Sequence, residues 1–228
     1  MSHHINLTRI KGVANALTEF KDEIAFVGGA AVSLYVDNPE QTETRPTDDI
    51  DVLVEIASYG AYVQLQEKLT TLGFSVDAEA KVTCRFKYDG LTVDIMPTNG
   101  EILGLKNDWH RKGFAELETY HLDHSPDIQI LPIGYFIASK LEAFNDRGGG
   151  DGRTSKDFED IVFVIDNRQN FWEEMSALTG DLASYIKEEF SKLLSTSHIE
   201  EWISGHLEPG TADARCQKII NGMKSVIN

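Results

Sequence analysis

The sequence predicts a protein of α/β or α+β class, with a sheet layer covered by helices over residues 1–131 and a helical module over 132–228. Three observations carry this. Helical and strand periodicities alternate over roughly the first hundred residues, two β-prone runs are joined at Asp89-Gly90, and after Pro132 the pattern turns helical. A chain of 228 residues with 41% hydrophobic content can bury a core in one large domain or two small ones.

Taken in order, residues 6–20 place Leu7, Ile10, Val13, Ala14, Leu17 and Phe20 at helical spacing behind an Asn6 cap. "EIAFVGG" reads as a strand entering a turn, and "AAVSLYV" as a short helix ending before Asn38-Pro39. The polar, Pro-bounded "DNPEQTETRP" is a loop, "DIDVLVE" an acidic strand, and a helix over about 58–72 stops at Gly73. In "KVTCRFKYDGLTVDIMP" the Asp89-Gly90 pair predicts a two-residue hairpin turn, which sets Tyr88 opposite Leu91 and Arg85 opposite Asp94. Residues 100–127 show little periodicity. Beyond Pro132, "IGYFIASKLEAFNDR" and "KDFEDIVFVI" are helices separated by a flexible "GGGDGRTS", and amphipathic segments follow with turns at Gly180, Gly205 and Pro209-Gly210.

Chemistry concentrates in Val27-Gly28-Gly29-Ala30-Ala31 and, some twenty residues on, Arg45-Pro46-Thr47-Asp48-Asp49-Ile50-Asp51-Val52. On a strand, Asp49 and Asp51 share a face while Ile50 and Val52 turn into the core, so two carboxylates converge with apolar backing. Such a pair suits Mg²⁺, which takes oxygen ligands from carboxylates and phosphates. Gly28 and Gly29 have no Cβ, so their backbone approaches a phosphate closely, and a helix opened by Gly29 turns free amides toward the anion. Alone, a Gly pair is often only a turn and an Asp-x-Asp often a solvated face; their order, with Arg45 and Thr47 between them, points to metal-assisted nucleotidyl transfer. "DDIDVLVE" is too apolar for a calcium loop. Asp94, on the hairpin, is the third acid, completing a two-ion site or accepting the proton of an attacking hydroxyl. The alternative is that Asp94 merely pairs with Arg85 across the strands.

Bulk properties narrow the partners. A net charge of −16 argues against broad nucleic-acid binding, leaving a local patch of Lys106, Arg111, Lys112, Arg147, Arg153 and Lys156 as the surface for one RNA end; scattered cations are more commonly solubility charges. With no run of about eighteen apolar residues and no charged-then-apolar leader, the expectation is a cytoplasmic protein without a membrane span. Cys84 and Cys216 lie far apart and are expected as buried thiols rather than a disulfide or zinc ligands. His121, Asp123 and His124 lack a fourth ligand, so they are not read as a metal site.

These residues resemble the nucleotidyltransferase superfamily, and within it the AbiEii-type branch, the toxins of type IV toxin–antitoxin and phage-abortive systems. The likeness rests on "GGAA", "RPTDDID", the helix motif Lys140-Leu141-Glu142-Ala143, and "RTSKDFED" with Arg153, Lys156, Asp157 and Asp160, and it spans residues 27–160. Against the family pattern, residues 37–44 look like an insertion, and the Gly-Gly form lacks a Ser that often binds phosphate. The resemblance implies an α+β (α/β-like) fold with a nucleotidyltransferase-type mixed sheet and a helical nucleotide- or substrate-binding domain, an NTP lying in the cleft between them.

It further implies that Asp49, Asp51 and Asp94 are catalytic and hold Mg²⁺ or Mn²⁺, and that Gly28, Gly29 and Lys140 hold the triphosphate. Arg153 and Lys156 would bind nucleotide. Asp157 would orient it or move a proton, Asp160 would orient Arg153 or Lys156, and the loop Gly148–Gly152 would fold over it. The implied reaction moves NMP from an NTP to an acceptor hydroxyl, with a tRNA 3′ end as acceptor and a cognate antitoxin as partner. Two other readings stand: transfer to a small cationic acceptor of aminoglycoside type, which suits the acidic charge, and a non-catalytic nucleotide- or antitoxin-binding module.

Overall fold

A computed structural model of the protein describes residues 2–39, 44–104 and 107–228. Residues 40–43 of the insertion and Lys106 of the basic patch lie outside the described residues. The chain is α+β and divides into two compact units: Met1–Leu34 with Pro39–Pro132, and Tyr35–Asn38 with Ile133–Asn228.

The first unit contains, in chain order, α1 (Ser2–Ala16), β1 (Ile24–Val27), α2 (Gly28–Ala31), β2 (Asp49–Val54), α3 (Tyr59–Thr71), β3 (Ser75–Val76), β4 (Arg85–Tyr88), β5 (Leu91–Pro97), α4 (Asp108–Phe114), β6 (Glu118–Tyr120) and β7 (Ile128–Ile130). Its strands form one mixed sheet in the order β3-β4-β5-β2-β1-β7-β6. β1 and β2 are antiparallel, β5 lies parallel to β2, and β7 lies parallel to β1. The central strands are apolar on their inner face, with Ile50, Val52, Val93 and Phe26 all at most 1% exposed, so the sheet is anchored by a dry core under the acids of β2.

Several elements form for reasons visible in the chain. Ser58 caps α3 by accepting from the Ala61 amide, and Asn107 caps α4 by accepting from His110. Asp89 and Gly90 both take positive φ, 45° and 76°, the pair of left-handed residues that a type I′ hairpin turn needs, and β4 and β5 pair in the expected register. Other expectations are corrected. Asn6 does not cap a helix over 6–20. α1 begins at Ser2 and ends at Ala16, followed by a 3-10 turn over Thr18–Phe20, and Asn6 is a fully buried helix residue bonded to the segment before β2. "AAVSLYV" is likewise a short α2 continued by a 3-10 turn over Val32–Tyr35.

The second unit is helical: α5 (Ile133–Arg147), α6 (Lys156–Asn167), α7 (Phe171–Ala177), α8 (Gly180–Leu194), α9 (Ile199–Ser204) and α10 (Ala212–Ile227). Tyr35–Asn38 joins it through specific contacts. The Tyr35 ring stacks on Phe136 at 4.1 Å, its carbonyl accepts from Arg168 at 2.9 Å, and Asp37 Oδ2 accepts from the Gln169 amide at 2.6 Å. Phe144, Phe158 and Trp202 form an aromatic cluster among α5, α6 and α9, with the Phe144 and Phe158 rings 5.2 Å apart. Among the described residues no helix is long and apolar enough to cross a membrane.

Candidate active site

β2 presents Asp49 and Asp51 half-buried on one face, and the parallel pairing with β5 sets Asp51 directly opposite Asp94. Three carboxylates therefore share one face of two adjacent strands. On the far side of β5, β4 places Arg85 opposite Asp94. Its guanidinium takes Asp94 as a fork, Nε to Oδ1 at 2.8 Å and Nη2 to Oδ2 at 2.7 Å, and Nη2 also reaches Asp49 Oδ2 at 3.2 Å. The hydrogen bond to Asp94 leads in raising Arg85 above its ordinary range, and the charges of Asp94 and Asp49 add to it.

Both readings of Asp94 therefore meet in one arrangement: it lies beside Asp51, and it is also the partner of Arg85. As hard oxygen donors the three acids fit a divalent cation in type, and their excess negative charge calls for a counter-ion. Among the described residues, however, no group of three or more His, Cys, Asp or Glu side chains converges as a metal-holding set. The Arg85 fork occupies both oxygens of Asp94 and draws on Asp49.

The glycine corner abuts these acids. Val27 at the end of β1 is the antiparallel partner of Asp51, and Gly28 follows it at φ 70°. A Cβ at Gly28 would run into the Asp51 carboxylate, so glycine is needed there twice over, for the left-handed backbone and for the space. At Gly29 a Cβ would lie 2.6 Å from Arg45 Nη2 and 2.8 Å from Thr47 Cγ2, so the "RPT" segment closes directly over the corner. α1 holds that segment in place: Asn6 Nδ2 donates to the Arg45 carbonyl, Asn6 Oδ1 accepts from the Thr47 amide and hydroxyl, each at 3.3 Å, and Arg9 donates to the Thr47 carbonyl. Nearby Cys84 is a buried thiol whose pKa is pushed up to about 12 by burial and then by Asp94, so it stays protonated and is no nucleophile at neutral pH.

The remaining predicted site residues lie in the second unit. Lys140 is 5% exposed on α5 and donates to Asp157 Oδ1 at 3.2 Å and to Asp160 Oδ2 at 2.6 Å, both on α6. Arg147, two turns after Lys140, adds a fork to Asp157 at 2.8 and 3.0 Å. Burial by itself would raise the Asp157 carboxyl, but the Arg147 hydrogen bond and the charges of Lys140 and Arg147 outweigh it and hold the group below the usual carboxylate range. A carboxylate so held is a weak base.

Arg153 pairs with Asp151 and Glu201, and Asp160 accepts from Lys140. Lys156 is exposed at the first position of α6. The Gly148–Gly152 loop is fastened at its end, where Gly152 is buried beside Trp202 and its carbonyl lies 2.7 Å from His206 Nε2.

Sequence reasoning passed over two contributors. Composition offers Arg147 only as an RNA-patch cation, although its seven-residue spacing from Lys140 puts both on one face of α5, a signal that they share a partner. The tether from Asn6 and Arg9 carries a weaker signal, their spacing of three along α1. Of the patch itself, Arg147 and Arg153 are engaged with carboxylates, and Lys112 lies over the Trp109 ring at 4.6 Å. His121 pairs with Asp127 at the surface at 2.9 Å.

No curated protein matches the chain. Among solved structures it is similar to JHP933 from Helicobacter pylori, with 13% identity over 98% of this chain and 90% of that one and a TM-score of 0.50, a likeness that speaks for the fold alone. Residues 13–203 match the family model described as Nucleotidyl transferase AbiEii toxin, Type IV TA system. With most of its length matched, glycine corner, acidic strand and the Lys140–Asp157 helices included, the chain belongs to the AbiEii nucleotidyl transferase toxin family.

Proposed function

We propose that the protein transfers a nucleoside monophosphate from an NTP to an acceptor hydroxyl in a reaction dependent on a divalent cation, with the 3′ end of tRNA as acceptor and a cognate antitoxin as its restraining partner. The observation that carries this reading is the placement of Asp51 opposite Asp94 with Gly28 packed against the Asp51 carboxylate, which brings acids and a close-approach backbone to one point of the sheet. A cation of the Mg²⁺ or Mn²⁺ type would supply Lewis-acid polarisation of the reacting phosphate and lower the pKa of the attacking hydroxyl.

The chain's own residues do the rest. Asp49 and Asp51 would carry the ligating oxygens, and Asp94 would accept the proton of the attacking hydroxyl or share in ligation. Gly28 and Gly29 let the backbone approach the triphosphate, with Arg45 fixed beside them by the Asn6 tether. In the second unit, Asp157 stays ionised and oriented by Lys140 and Arg147 and serves as a fixed acceptor for the nucleotide, while exposed Lys156 meets phosphate as a point charge. Lys140, already neutralised by two carboxylates, contributes chiefly by fixing Asp157.

Incubation with α-labelled NTPs, Mg²⁺ and total tRNA tests the reading, with Asp51→Asn as the control. Label on RNA from the wild type, lost in the variant, is expected. Label on an added aminoglycoside instead would reassign the acceptor, and absence of label from every acceptor would contradict transfer.

A further inference from the structure

We propose that Arg85 is a displaceable internal counter-ion of the acidic face: its guanidinium holds Asp94 and Asp49 while the site carries no divalent cation, and gives up both carboxylates when one binds. The inference rests on the metal-dependent reading above.

Four observations support it. Arg85 uses both oxygens of Asp94 and one of Asp49, so it occupies two of the three acids expected to serve a cation. Next, with the fork in place the acids do not converge as a ligand set among the described residues. The contact with Asp49 is open to water, the Arg85 side chain being 29% exposed and that of Asp49 42%, so screening weakens it; Asp94 is only 11% exposed, so it releases Arg85 only as another cation takes its place. Lys140 of the second unit is more enclosed, its side chain 7% exposed and its carboxylate partners 7% and 3%. Finally, three carboxylates on adjacent strands repel one another, and a cation from the protein offsets that repulsion until an external one replaces it. A guanidinium suits this use because its affinity for a carboxylate comes from a planar fork that is lost once the carboxylate turns.

Direct binding of Mn²⁺, followed by electron paramagnetic resonance or calorimetry on the full chain, tests the proposal with wild type, Arg85→Lys, Arg85→Gln and Asp51→Asn. Arg85→Lys is the decisive variant, because it keeps the charge and loses the fork. Competition for the carboxylates predicts that Arg85→Lys and Arg85→Gln both bind Mn²⁺ more tightly than wild type, by about two- to fivefold. Asp51→Asn loses the binding. The thermal midpoint of Arg85→Lys should also rise more on adding Mn²⁺ than that of wild type.

Mn²⁺ affinity of Arg85→Lys equal to or below that of wild type, with binding still lost in Asp51→Asn, overturns the counter-ion and leaves the metal site standing. No binding in any form, or binding indifferent to Asp51→Asn, overturns both. Arg85→Lys guards against misreading a folding defect in Arg85→Gln, since it keeps a cation beside the acids.

Discussion

Single side chains decide most of the candidate site. Gly28 is the most constrained, since it combines φ 70° with an acid where its Cβ would go. Gly28→Ala should cost about 1–3 kcal/mol from backbone strain alone and push Asp51 out of place, so both the urea midpoint and nucleotide transfer should fall. Lys140 is held between Asp157 and Asp160 in a buried network, and Lys140→Met would leave those carboxylates without their ammonium. The expected loss is about 3–5 kcal/mol by equilibrium unfolding.

Asp157 adds a pH signature. Its carboxyl is depressed in the folded state, so its contribution is present above the unfolded carboxylate range and is lost as pH falls through the lower folded value. The stability difference between wild type and Asp157→Asn should accordingly shrink as urea titrations move below pH 4 or so, because only wild type loses a favourable charge there.

At the scale of elements, what the sequence revealed depended on length and on turn chemistry. The β4–β5 hairpin was legible to the residue because Asp89-Gly90 admits one tight turn, and that turn fixes Arg85 opposite Asp94. β2 was legible because its six residues alternate acid and apolar side chains before an apolar end. β3, β6 and β7 escaped, being two or three residues long, too short for any period to register. The apolar spacing of α1 shows a helix but not the role of Asn6, because buried Asn and capping Asn look alike until a distant partner is known; here the partners lie 39 and 41 residues away. That tether gives its own prediction. Asn6→Ala should cost about 1–3 kcal/mol through the unsatisfied Thr47 amide and speed hydrogen exchange in the Arg45–Thr47 segment relative to the β2 core.

For the whole molecule, composition and family bear on different questions. The sequence marked the change to helices after Pro132, while the grouping of Tyr35–Asn38 with the helical unit rests on tertiary contacts such as the Tyr35–Phe136 stack and could not be read from local pattern. Among the acids, strand period and hairpin register brought Asp49, Asp51 and Asp94 to one face, but side-chain pairing then decided how they are held, and pairing is invisible to periodicity.

The net charge is −16, and both Arg147 and Arg153 of the basic patch are engaged by carboxylates. Transfer to tRNA should therefore weaken only gently with salt, with a logarithmic slope below about three, and a steep slope would show a phosphate-tracking surface.

The joint action of the three acids is tested most directly by the single-turnover rate of nucleotide incorporation from α-labelled NTP in wild type, Asp49→Asn, Asp51→Asn and Asp94→Asn. Each single change should lower that rate by about 10²-fold or more while the fold persists. An Asp94→Asn enzyme that incorporates nucleotide at the wild-type rate would contradict the assignment of Asp94 to the same site.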